Sequence, residues 1–225
     1  MNGKTKINFD EYADSYQQLL EEQLSFFSKD RGFFSEHKVA IVADQIKHAP
    51  HSILDFGSGI GLSLPYLKKH FPAAHVSATD LSTKSLEYVR EKHRGVEVLG
   101  DDELDMRSFD LIFVSGVFHH IPIEQRSLIA KRLIRLLTSS GTLFIFEHNP
   151  LNPITRRMVS TCPFDEDAVL LSLPSLKRLV STSGASKVSG GYCLFFPPSL
   201  GVVQPLERFM RWLPLGGQHF VAAKK

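Results

Sequence analysis

Apolar positions along the chain fall into two alternating periods. Short continuous or alternating apolar runs at 53–56 (ILDF), 74–80 (AHVSATD), 95–100 (GVEVLG), 109–114 (FDLIFV), 142–147 (TLFIFE), 187–196 and 218–223 each predict a strand. Between and before them, apolar residues recur at three and four over 9–29, 36–48, 62–70, 82–93, 124–137 and 173–182, and each of these predicts an amphipathic helix. Strand and helix therefore alternate, which is the pattern of an α/β domain built on a parallel sheet. Two helices precede the first strand. The last two strands read as the antiparallel pair that closes the sheet, with an apolar insertion over 197–217 between them.

Chemistry concentrates where the first strand ends. Three glycines follow Asp55-Phe56 at alternate positions, Gly57, Gly59 and Gly61, before the helical pattern resumes at Leu62. Glycines suit a turn with backbone angles that a Cβ disfavours, and they let a ligand approach the main chain. A dinucleotide fingerprint needs G-x-G-x-x-G, and Leu62 stands where its third glycine belongs. A phosphate loop fails too, because no Lys-Ser or Lys-Thr follows. Asp55 would repel a pyrophosphate but suits a cationic ligand, such as a sulfonium that carries an amino group. At the end of the second strand, Asp80 can accept both hydroxyls of a ribose. Ser82 or Thr83 offers the cap for the following helix, so Asp80 is not needed there.

ILDFGSGIG resembles the first motif of class I S-adenosylmethionine (SAM) dependent methyltransferases, and the resemblance extends over roughly 53–147. It implies a doubly wound, Rossmann-like sheet of seven strands, mostly parallel with an antiparallel strand at the C-terminal end. It also implies SAM as cofactor. The cofactor set carried over is Asp55, Gly57, Ser58, Gly59, Gly61, Asp80, Leu81, Asp101 and Ser115, with Asp55 near the methionine part and Asp101 at the adenine amino group. Asp102 is the neighbouring alternative to Asp101. In the family the leading helices lie across the cofactor. Tyr12, Tyr16 and Lys38 are in reach of that region, although amphipathic packing of the tyrosines and a solvated lysine explain them more simply.

The acceptor side is read from two strand ends. FDLIFVSGVFHHIP resembles the fourth-strand motif of small-molecule methyltransferases, and it lacks the Asn/Asp-Pro-Pro-aromatic box of enzymes that methylate nucleic-acid amines. Ser115 stands where a catechol-type enzyme would place a magnesium-binding Asp, so no metal is expected there. Removal of a hydroxyl proton near pH 7 suits histidine. Of His119, His120, Glu147 and His148, the leading candidates are His120 and then His148. Adjacent histidines are expected to point different ways. Two Asn-Pro pairs, Asn149-Pro150 and Asn152-Pro153, predict an extended loop after the fifth strand, in a segment, EHNPLNPITRR, that resembles a group of bacterial methyltransferases. Arg156 and Arg157 in it face an anionic acceptor or water. Asp165-Glu166-Asp167 could be taken for a metal cluster, but its place before AVLLSL predicts the acidic first turn of a helix instead.

Composition narrows this little. The chain has 225 residues, 43% apolar and 22% charged, with net charge +2, which suits one domain over 1–225 and gives no reason to expect nucleic acid. Cys162 and Cys193 lack C-x-x-C spacing, so neither a disulfide framework nor zinc is indicated and a cytoplasmic setting is expected. No apolar run reaches the roughly 20 residues of a membrane span, and the first ten residues are too polar for a signal peptide. The expected activity is methyl transfer from SAM to a small-molecule, sugar or lipid-linked acceptor, O-methylation favoured. The insertion over 197–217 would act as a lid, as a peripheral membrane contact or as plain packing. A SAM-binding or nucleoside-binding regulatory module without turnover is the alternative, since the glycine turn and its acids would serve both.

Overall fold

The computed structural model describes residues 32–162 and 165–225. The expected helix over 9–29, with Tyr12 and Tyr16, lies outside the described residues. The described chain runs α1 (Phe33–Gln45), β1 (Ser52–Phe56), α2 (Leu64–His70), β2 (His75–Thr79), α3 (Thr83–Lys92), β3 (Glu97–Val98), α4 (Asp101–Leu104) and β4 (Phe109–Ser115). It continues through α5 (Ile123–Arg135), β5 (Leu137–His148), α6 (Pro153–Thr161), α7 (Leu173–Thr182), β6 (Lys187–Cys193), α8 (Glu207–Met210) and β7 (Gln218–Lys224). The strands form one seven-stranded sheet in the order β3-β2-β1-β4-β5-β7-β6. Only the pairings of β7, with β5 and with β6, are antiparallel.

The alternation of side chains along each strand explains why both faces are covered. Ile53, Leu111, Phe113, Phe144 and Phe146 face α1, α2 and α3, where Val39, Val42, Leu64, Leu67 and Val89 meet them. Leu54, Ile112, Val114, Leu143 and Ile145 face the other way onto Ala130 and Leu133 of α5 and Leu176 and Val180 of α7. Because β1 pairs with β2 on one side and β4 on the other, the strand order reverses between β1 and β4. In open parallel sheets that reversal opens a crevice at the carboxyl ends of the strands.

Two elements differ from the sequence expectation. β5 begins at Leu137 rather than Thr142, because the polar 138–141 stretch continues the strand through an irregular pairing at Phe109 and Leu111. The acidic 165–167 stretch does not open a helix. α7 starts at Leu173, where Ser172 accepts a hydrogen bond from the Ser175 N–H and Pro174 sits in the first turn. Among the described residues no helix is long and apolar enough to cross a membrane.

Candidate active site

The glycine turn closes on itself and on the end of β2. The N–H groups of Gly57 and Ser58 both donate to the Thr79 carbonyl, at 2.9 and 3.0 Å. Gly57, Gly59 and Gly61 adopt φ of +70, +53 and +82°, in the left-handed region. At two of them a side chain is also excluded by neighbours. A Cβ on Gly57 would lie 2.5 Å from Val117 Cγ2, and one on Gly61 would lie 2.5 Å from Leu64 Cδ1 and 2.8 Å from His93 Nε2.

Asp80 is tied to the same turn. Its Oδ2 accepts from the Gly59 N–H at 2.7 Å and its Oδ1 from the Ser82 N–H at 2.8 Å. Ser82 in turn caps α3 through the Ser85 N–H, as expected. The residue after Asp80, Leu81, is 88% exposed.

Asp55 lies beneath the turn, 3% exposed, and its Oδ2 is buried without a hydrogen-bond partner. Burial, reinforced by the nearby Asp80 charge and opposed by Lys38, pushes its carboxyl up to about 7. An orphaned anionic oxygen in a glycine cradle fits a cationic ligand group, so these residues suit the sulfonium and amino group of SAM. Asp101 fits less directly. Its side chain is 77% exposed and its Oδ1 accepts from Arg132 Nη1 at 2.6 Å.

Lys38 is buried rather than solvated, against expectation. From α1, Lys38 donates through Nζ to Ser115 Oγ, at the end of β4, at 2.7 Å. Burial lowers its ammonium, while Cys193, Glu147 and Asp55 hold it up. It thus stands electrostatically between the cofactor side and the acceptor side.

The acceptor side is organised by Glu147, 1% exposed near the end of β5. Its Oε1 accepts from the N–H groups of Val117 and Phe118 at 3.1 and 2.7 Å, fixing the 3-10 turn Phe118–His120. Its Oε2 meets His119 Nδ1 at 2.5 Å. Burial alone would raise the Glu147 carboxyl, but His119, joined by His148 and the Phe118 N–H, holds it down at about 2. Burial likewise works against the His119 imidazolium, and Glu147 and Asp165 together lift it to about 9. His148, its ring 5.1 Å from His119, is lowered to about 4 by burial and then by His119.

The two adjacent histidines do not diverge, as expected of them. Their ring centroids are 4.1 Å apart, and both Nε2 atoms face Asp165 Oδ1, at 3.4 Å from His119 and 3.3 Å from His120. His120 Nδ1 reaches Asp167 Oδ1 at 3.2 Å. The acids that resembled a helix start are therefore drawn to the imidazoles, because charge pairing at a half-buried site outweighs a weak helix-terminus preference. Asp165 and Asp167 join the candidates His119, His120, Glu147 and His148, and only the pairing of HH with a distant DED stretch could have signalled these two acids.

The two Asn-Pro pairs hold the insertion in place. Asn149 donates through Nδ2 to the carbonyls of Pro214 and Gly216, and Asn152 donates to that of Leu215. Asn152 Oδ1 also caps α6, accepting from the Ile154 and Thr155 N–H groups. Arg156 and Arg157 line an open cleft of about 550 Å³ with Asp165, Glu166 and Leu170.

Residues 54–145, which contain the glycine turn, Asp80 and the HH turn, match a family model described as a methyltransferase domain. Demethylmenaquinone methyltransferase of Thermotoga maritima is 31% identical over 160 residues, 68% of this chain and 66% of the relative. The chain belongs to the class I SAM-dependent methyltransferase family. Malonyl-[acyl-carrier protein] O-methyltransferase of Legionella pneumophila is 26% identical over 157 residues, 67% of this chain and 51% of the relative. The chain thus spans between half and two thirds of the length of these relatives. Among solved structures, a SAM-dependent methyltransferase from Archaeoglobus fulgidus superposes with a TM-score of 0.68 at 16% identity, over 93% of this chain and all of that one. Human N-acetylserotonin methyltransferase with SAM gives 0.63 at 13% identity, over 96% of this chain and 56% of that one. At such identities the likeness is one of fold, and it reproduces the methyltransferase sheet. SAM is the cofactor of this family, and the cradle described above has the chemistry to hold it.

Proposed function

We propose that this chain transfers the methyl group of SAM to a small-molecule acceptor, with an oxygen acceptor favoured. The observation that carries the reading is the buried, unpartnered Asp55 Oδ2 beneath a glycine turn whose Gly59 amide also anchors Asp80. In this reading Asp80 accepts the ribose hydroxyls, Leu81 covers the adenine and Asp101 or Asp102 takes its amino group. Asp55 stabilises the cationic methionine end. When bound, SAM supplies a methyl group already activated by its sulfonium leaving group.

What remains for the protein is alignment and the handling of a proton. Holding an acceptor in line can supply about 7 to 11 kcal/mol of the barrier. Lys38 and Ser115 fix the end of β4 between the two halves of the site. His120, less buried than His119 and tied to Asp165 and Asp167, is placed to take an acceptor proton. His148, lowered to about 4, is neutral at pH 7 and serves as an acceptor of hydrogen bonds rather than as a strong base.

An oxygen acceptor is supported by the named O-methyltransferase among the relatives and by the histidine-rich strand ends. A lipid-linked acceptor is supported by the exposed apolar side chains of Val202, Phe209 and Trp212 in the insertion. The test is to incubate the purified chain with methyl-labelled SAM and fractionated small-molecule and lipid extracts. Label entering one fraction together with release of S-adenosylhomocysteine supports the reading. SAM binding without release in any fraction would overturn it in favour of a regulatory module.

A further inference from the structure

We infer that His119, His120 and Asp165 form a binding site for one divalent transition-metal ion, with zinc the best match. The site is separate from the cofactor cradle, and its occupation would replace the proton-accepting role given to His120 above, since Nδ1 of His120 faces Asp167.

Three observations carry this. The first is convergence: one ligand atom from each of the three side chains lies within 4.8 Å of the others. The Nε2–Oδ1 separations of 3.4 and 3.3 Å are too long for charge-assisted hydrogen bonds, which run at about 2.7 to 2.9 Å. They equal the edge of a tetrahedron whose bonds are about 2.0 to 2.1 Å, about 3.3 to 3.4 Å, the geometry of zinc with nitrogen and oxygen ligands.

The second observation is the layer behind the ligands. Each histidine that turns Nε2 toward Asp165 has a carboxylate at its Nδ1, Glu147 for His119 and Asp167 for His120. An ionised carboxylate only accepts, so it fixes the ring with Nδ1 toward itself and Nε2 toward Asp165, the nitrogen at which a metal ion would compete with a proton. A carboxylate behind the distal nitrogen is how metal-binding histidines are oriented and made more basic.

The third is charge. Glu147, Asp165 and Asp167 bring three carboxylates to two imidazoles, and both Nε2 atoms face the same Asp165 oxygen. A divalent ion between these atoms would displace the proton that pairs His119 with Asp165, and the surrounding carboxylates would offset its charge. Two histidines and one carboxylate suit zinc more than magnesium, which prefers oxygen donors throughout. Three protein ligands leave a fourth position for water or another oxygen ligand. The absence of an acid at Ser115 excludes only a metal at the end of β4, and this site lies one turn further on.

The experiment strips the purified full chain with a chelator, adds zinc chloride and measures uptake by calorimetry and by metal content after gel filtration. We expect one equivalent per chain with micromolar or tighter affinity, and at least 100-fold weaker binding in Asp165→Asn and His120→Ala. Asp167→Asn should weaken binding about 10- to 100-fold. Asp80→Ala, remote from the cluster, should bind zinc as the wild type does. Cobalt substitution of the wild type gives a reading that needs no variant: an intense visible spectrum of a low-coordinate nitrogen and oxygen site is expected. No saturable zinc uptake, a cobalt spectrum like that of the hydrated ion, or unchanged affinity in Asp165→Asn and His120→Ala would each overturn the proposal. SAM binding measured in the same preparations keeps this outcome distinct from failure of the methyltransferase reading.

Discussion

The two halves of the crevice are built in different ways. On the cofactor side a contiguous run, 55–61, supplies the turn, and its contacts with β2 are mostly main-chain: Gly57 and Ser58 to Thr79, and Gly59 to Asp80. On the acceptor side three separated segments meet, and their contacts are between ionisable side chains: Glu147, His119, His120, Asp165 and Asp167. A backbone cradle is written in local sequence and tolerates neighbouring variation. A charge cluster exists only once the fold has brought its members together, and each member depends on the others.

The largest effect should come from removing the centre of that cluster. Glu147→Gln keeps the shape but replaces an anion that accepts from two N–H groups and from His119. Breaking a buried pair in this way costs about 3 to 5 kcal/mol. A denaturant midpoint unchanged from wild type would show that the acceptor side is not held together by charge.

Next in size, Asp80→Ala tests whether the cofactor side serves binding more than stability. Loss of two charge-assisted hydrogen bonds to a ribose should weaken SAM about 100-fold by calorimetry. Equal affinity in wild type and variant would remove the ribose assignment, and with it half of the contrast.

The succession of strands and helices, the glycine turn and the acid at the end of β2 were legible because each depends on short-range pattern: strand period, glycine spacing and an acid at a strand end. The acceptor side was legible only in part. His120 and His148 stand at strand ends and could be named, but Asp165 is 45 or more positions away from its histidines and reads locally as a helix start. Lys38 reads as a surface lysine because nothing near it in sequence announces Ser115, its partner across the crevice. Asp101 was carried over from family position, and Arg132, a helix away, takes one of its oxygens.

Smaller still is the effect of pH through Asp55, and it has opposite signs for folding and for binding. Its carboxyl is raised to about 7, so between the ordinary carboxylate range and that value the folded chain holds a proton that the unfolded chain has lost. Stability of the ligand-free protein should therefore fall as pH rises through that window. A cationic ligand prefers the ionised form, so SAM affinity should rise roughly tenfold between about pH 6 and 8 and then level off. Asp55→Asn should flatten both profiles, and an unflattened binding profile would assign the titration to another group.

The smallest effect isolates cofactor contact from folding most cleanly. Leu81 is 88% exposed, so Leu81→Ser removes little that holds the fold, and the unfolding midpoint should move by less than about 0.5 kcal/mol. If adenine covers this side chain, the variant loses the burial of a partly covered leucine, about 1 kcal/mol, which is roughly fivefold in SAM affinity. Glu147→Gln should behave in the opposite way, with a large loss of stability and little change in the SAM affinity of the fraction that remains folded. A crossed pattern of this kind requires the two halves to be separable in energy as well as in construction. If Leu81→Ser left affinity untouched, Leu81 would be an ordinary exposed side chain and the adenine would have to lie elsewhere along the rim. If it instead lowered stability by as much as affinity, the two halves would be coupled, and Lys38, buried between Asp55 and Glu147, would be the first residue through which to trace that coupling.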